Sequence, residues 1–131
     1  MKSIQIHKHS NDPEQIQYKK DAPRPYPGRR GLGPCHRYGV TPTELSWPGI
    51  WKAEDGSDRT LPIVPGHEMS GIIEEIGPGI TDLKLGSAIY GIIGFSQDGA
   101  AAEYALQSPQ RLLLKHDPLI TYKQQLFRYH V

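Results

Sequence analysis

Apolar positions come in short, broken runs along the chain, and few of them follow a helical period. Ile4 and Ile6 alternate with Ser3, Gln5 and His7, the two-residue repeat of a half-buried strand. His7 to Pro13 reads as a turn, and Glu14 to Lys19 as a second strand pairing with the first. His7 and His9 share a strand face, where a solvated strand end outweighs weak metal binding. Pro23, Pro25 and Pro27 make residues 21–28 an extended link that cannot be helical. Pro62 and Pro65 likewise rule out a helix before the strongest run, Gly71 to Ile76. Its β-branched Ile72, Ile73 and Ile76 suit a strand, and Gly77-Pro78-Gly79 ends it in a turn. Residues 80–91 read as a turn followed by a strand. Ile92 to Phe95 is apolar, and residues 96–99 form a turn with Asp98-Gly99 at its tip. Ser108 to Pro118 reads as a short strand ending in a turn.

Composition agrees with this pattern. Fourteen glycines and twelve prolines in 131 residues point to short strands and many turns within one domain. A formal net charge of +1 offers no electrostatic argument for nucleic acid or membrane as a partner. A single cysteine, Cys35, excludes an intramolecular disulfide and any multi-cysteine zinc site. No run reaches the length of a membrane span, and the N-terminus is too polar for a secretory signal. These features imply a soluble, cytoplasmic protein.

The chemistry gathers at Pro65-Gly66-His67-Glu68, where glycines bracket a polar pair at the mouth of a strand. This motif is followed by Gly71, by Gly77-Pro78-Gly79, by Leu85 to Gly91 and by Gly99 to Tyr104. In that order the motifs resemble the N-terminal half of the medium-chain dehydrogenase/reductase superfamily, the zinc alcohol dehydrogenases and quinone oxidoreductases. The resemblance covers roughly residues 1–27 and 38–122. It implies a mostly β fold, a partly closed GroES-like antiparallel barrel over residues 1–122. It also decides Gly99 to Leu106 as a strand, although four alanines there suit a helix on propensity alone.

Two segments depart from the family pattern. Residues 29–37 have no periodicity and almost no apolar content, where the resemblance leads one to expect a core strand such as Glu-Val-Leu-Val-Arg-Val. Codons for Arg30 to Cys35, read one nucleotide out of phase, can spell that strand. The expectation is a disrupted core strand at about 29–37, translated out of frame; an unusual basic loop is the alternative. Residues 123–131 form an off-pattern tail that can be shifted in the same way into an Ala-Ala-Val-Pro-like sequence.

The resemblance also frames the site. Thr41 stands where the zinc-dependent branch has a metal-binding cysteine, and a hydroxyl is a poor zinc ligand beside a thiolate. His67 is the only family-matching ligand position, and the four-cysteine structural zinc lobe is absent, so the reading disfavours zinc. In the zinc-free branch this turn and a nearby aromatic line the nicotinamide and substrate pocket. Thr41, Trp47, His67 and Glu68 are therefore the substrate-pocket candidates, with Trp51 a weaker one. Tyr90 and Phe95 read as core, and Ala53 to Arg59 as a polar surface loop.

No strand, glycine-rich turn and helix suited to a dinucleotide occurs in the sequence. The full-length relatives implied are NADPH-dependent reductases of quinones, enones or similar carbonyl compounds. The chain then reads as a truncated form contributing the substrate-side wall, without a Rossmann cofactor domain, without bound cofactor and inactive alone. A non-catalytic β-barrel interaction module and a fragment of a zinc alcohol dehydrogenase are the alternatives. Neither substrate nor oligomeric state follows from the sequence.

Overall fold

The computed structural model describes residues 1–114 except 11, 29, 30 and 42. The expected boundary near residue 122 and the tail at 123–131 lie outside the described residues. The described elements are strands joined by turns of 3-10 helix. The strands are β1 (Ser3–Ile6), β2 (Ile16–Lys19), β3 (Gly31–Gly39), β4 (Glu68–Ile72), β5 (Glu75–Ile76), β6 (Ala88–Ile92), β7 (Tyr104–Gln107) and β8 (Leu112–Leu114).

β1 and β2 form an antiparallel hairpin in which Ile4 faces Tyr18. A 3-10 turn, Pro13–Gln15, takes the first part of the expected second strand, with Asp12 capping it through the Glu14 amide. In the larger sheet β3 pairs with β4, β5 and β7, β4 with β6, and β6 with β8. The pairs are antiparallel, and among the described residues the sheets do not close into a barrel.

Residues 31–39 carry a strand even though their sequence lacks a strand pattern. Backbone pairing with β4 on one side and β7 on the other sets its path, and that pairing needs no particular side chains. Its ladder to β4 shifts register between Cys35 and Arg37, inside the segment expected to be disrupted. The predicted strand at 71–76 divides into β4 and β5, with Glu68 as the first residue of β4.

Gly99 to Ala102 precede β7 and run instead against residues 64–66. Gly99 N–H donates to Val64 O (2.8 Å), and Ala101 N–H to Pro65 O (3.0 Å). A Cβ on Gly99 would lie 2.4 Å from the carbonyl oxygens of Pro65 and Gly66, so only glycine permits this approach.

Apolar side chains collect in clusters. Met69, Ile73, Leu83, Ile89, Ile93, Ala100 and Ala105 pack within the larger sheet. Ile6, Leu45, Ile50, Trp51 and Ile63 pack under the hairpin, with Trp47 partly buried against them. The pocket described next lies where Trp47 meets the end of β6.

Candidate functional site

A 3-10 turn, Glu44–Ser46, follows β3, and a second, Pro48–Trp51, follows at once. Pro48 starts the second turn at a position where its missing N–H costs no hydrogen bond. These turns bring Thr41, Glu44 and Trp47 against the start of β4 and the end of β6. Gly39, Thr41, Glu44, Trp47, His67, Glu68, Ile92 and Phe95 enclose a pocket of about 90 Å³. All four sequence-predicted site residues therefore line one pocket. Thr41 and Glu68 are exposed at its mouth, Trp47 is half-buried and His67 is buried.

The sequence reading missed Gly39, Glu44, Ile92 and Phe95 as residues of this pocket. Glu44 is 3% exposed and His67 4% exposed, and their nearest polar atoms, Glu44 Oε1 and His67 Nε2, stand 3.2 Å apart. The same Glu44 oxygen accepts the Gly66 backbone N–H at 2.8 Å. Phe95, read from sequence as core, is 46% exposed and forms a wall of the pocket. Its ring meets His67 edge-on at 5.0 Å and Trp47 at 5.3 Å. Such edge contacts suit the positive ring edge and negative ring face. The signal for Phe95 was its place between Gly94 and a polar turn, where no strand continues to bury it.

Two other expectations are corrected. Trp51 is a core residue at 6% exposure, its indole N–H donating to Leu45 O at 3.1 Å. Arg59, assigned to a polar surface loop, has a side chain only 9% exposed. It turns inward because backbone carbonyls and Asp98 supply partners for its guanidinium.

Burial governs the ionisation of the central pair. It pulls His67 below the ordinary imidazole value, Arg59 pushing the same way, while the backbone at Ile93 and Gly94 and the charge of Asp98 oppose. Burial raises Glu44 above the ordinary carboxylate value; the backbone at Gly66 and Thr41 opposes, and Glu68 adds to the rise. Burial is the largest cause of both shifts, and each shift disfavours the charged form of its group. His67 Nδ1 is buried without a hydrogen-bond partner.

These residues do not fit a catalytic zinc. His67 Nε2 faces a carboxylate already engaged by Gly66, and Thr41 offers a hydroxyl. Among the described residues no group of three or more His, Cys, Asp and Glu is arranged to hold a metal ion. The described elements include no strand, glycine-rich turn and helix of the kind that holds a dinucleotide. No helix among them is long and apolar enough to cross a membrane. A larger, open cleft of about 750 Å³ lies between β1, residues 19–25 and β7, and shares no residue with the pocket.

A strand-rich fold with a His-Glu pair at the head of β4 and a turn-built pocket beside it defines a family. Residues 35–117 match the alcohol dehydrogenase GroES-like domain, and the chain belongs to that family. It is 59% identical over 29 residues to an alcohol dehydrogenase of Geobacillus stearothermophilus, covering 22% of this chain and 9% of that protein. It is 34% identical over 65 residues to a chloroplastic NADPH-dependent alkenal/one oxidoreductase of Arabidopsis thaliana, covering 45% of this chain and 17% of that protein. The structure of a quinone oxidoreductase from Coxiella burnetii superposes with a TM-score of 0.74 at 25% identity. That likeness covers 89% of this chain and 37% of that structure. The chain thus spans well under half the length of these relatives.

Proposed function

We propose that this chain supplies the substrate-side wall of an NADPH-dependent oxidoreductase that acts on conjugated carbonyl compounds, enones or quinones. The observation that carries the reading is the gathering of Thr41, Trp47, His67 and Glu68 around one pocket, closed by Phe95. Trp47 and Phe95 supply apolar walls for a conjugated molecule. The Thr41 hydroxyl, at the mouth, is the donor for a carbonyl oxygen. Glu44 and His67 fix the floor of the pocket. NADPH, the cofactor named for the Arabidopsis thaliana relative, supplies hydride when bound. No residue of this chain is assigned to hold it, and the chain alone does not turn over substrate.

The test is a titration with NADPH followed by an oxidation assay. The chain alone is expected to give no saturable change in NADPH fluorescence. The chain joined to the cofactor domain of a quinone oxidoreductase should bind NADPH and oxidise it when 2-cyclohexen-1-one is added. Saturable NADPH binding by the chain alone would overturn the reading, as would a joined protein that binds NADPH but reduces no enone or quinone.

A further inference from the structure

We propose that Arg59, outside the pocket, is its positioning residue: its guanidinium holds the backbone under Phe95 and so sets the distance of that ring from His67 and Trp47. The side chain is 9% exposed and reaches across three segments. Nη1 donates to Ile50 O at 3.1 Å and to Phe95 O at 3.3 Å. Nη2 donates to Asp98 Oδ1 at 2.7 Å. The same Asp98 oxygen accepts the Val64 N–H at 3.0 Å. Arg59 is itself fixed at its backbone, its N–H donating to Trp51 O at 2.9 Å.

One cation thus joins the turn that carries Trp47, the strand approach that leads to His67, and the loop that carries Phe95. The Phe95 ring is 46% exposed and meets the protein through edge contacts with Trp47 and His67, so its position follows that of the backbone carrying it. A lysine at position 59 keeps the charge but has no planar fork to reach both carbonyls and the carboxylate together. The placement of one pocket wall therefore depends on the guanidinium shape as well as on its charge. This inference rests on the pocket reading for its meaning, but not for its geometry.

The experiment labels the full chain with 4-fluorophenylalanine. Phe95 and Phe127 give the two fluorine lines, assigned with Phe127→Leu. In Arg59→Lys, the Phe95 line is expected to move toward that of the free amino acid while the methyl resonances of Ile73 and Ile93 keep their folded positions. An unmoved Phe95 line in a folded Arg59→Lys chain overturns the proposal. Should that variant fail to fold, Arg59→Gln decides: its shorter side chain cannot reach Ile50 O, Phe95 O and Asp98 together, so a shifted line supports the proposal and an unshifted line overturns it. Affinity for 2-cyclohexen-1-one should fall on the order of tenfold in Arg59→Lys, the loss expected of an imperfectly held polar anchor. If neither protein binds the enone, the pocket reading fails while the fluorine shift still decides the role of Arg59.

Discussion

His67 Nε2 stands 3.2 Å from Glu44 Oε1, and the two side chains are among the most buried polar groups of the described chain. Glu44 comes from a turn after β3 and His67 from the residue before β4, so the contact ties that turn to the strand end beyond the last β3–β4 pair, Gly39 with Glu68. Glu44→Ala removes this contact and leaves the Gly66 N–H without its acceptor. The expected loss is about 1–3 kcal/mol of unfolding free energy, the cost of stranding a buried donor. Urea denaturation measures it, and a loss below ~0.5 kcal/mol would mean that water or backbone replaces the carboxylate.

The same pair sets a pH dependence. The folded chain holds His67 neutral, so below pH 6.5 the unfolded chain takes up the proton more readily. The stability associated with neutral His67 is present above that pH and is lost as pH falls toward the lowered folded value. Glu44 has the opposite sign. Its raised value keeps the folded proton longer, so its contribution falls as pH rises above 4.5. The difference in unfolding free energy between the natural chain and His67→Gln should therefore shrink as pH falls from about 7.5 to about 5.5. For Glu44→Gln the natural chain should lose ground as pH rises from about 4.5. Parallel curves for natural and variant chains would mean that burial does not govern these groups.

The two tryptophans are predicted to separate in their effects. Trp51→Ala opens the cluster of Ile6, Leu45, Ile50 and Ile63 and strands the Leu45 carbonyl. It should cost about 3–5 kcal/mol. Trp47→Leu should cost roughly 1 kcal/mol, since the residue is half exposed and leucine keeps part of the contact, while enone binding is lost. Thermal melts read the first effect and ligand titration the second. Equal destabilisation by both would place Trp47 in the core.

Gly99→Ala is expected to destabilise strongly, because its new Cβ would meet two carbonyl oxygens at 2.4 Å. Overpacking of this kind costs about 1–3 kcal/mol. Since residues 99–101 hold segment 64–66, the damage should also reach His67 and appear as a shifted imidazole resonance. An intact resonance in a folded variant would show that the two segments are not coupled.

Much of this architecture was legible in the chain. The alternation at Ile4 and Ile6 and the β-branched run before Gly77 each carry a local physical signature, whereas residues 99–102 were expected in a strand that begins only at Tyr104. Thr41, Trp47, His67 and Glu68 line one pocket. Glu44 and Arg59 were not legible, because each is a charged residue in a polar stretch and is buried only by partners distant in sequence. Phe95 was misread because an aromatic after an apolar run ordinarily points inward, and here the chain turns at residue 96. The strand at 31–39 was obscured for a different reason: its side chains carry no strand pattern, while backbone pairing with β4 and β7 supplies its path.

That mismatch yields a prediction of its own. A nucleotide sequence through codons 28–38 and past codon 123 should contain compensating single-nucleotide shifts on the natural transcript. An uninterrupted frame at both places would make residues 31–37 a genuine stretch of strand of unusual composition.

The central claim, that the pocket receives a conjugated carbonyl, is tested most directly by titrating the chain with 2-cyclohexen-1-one while following the two indole N–H resonances. The account predicts a saturable shift of the Trp47 resonance, an unmoved Trp51 resonance, and loss of the effect in Thr41→Val. No saturable shift, or equal movement of both indoles, would contradict it.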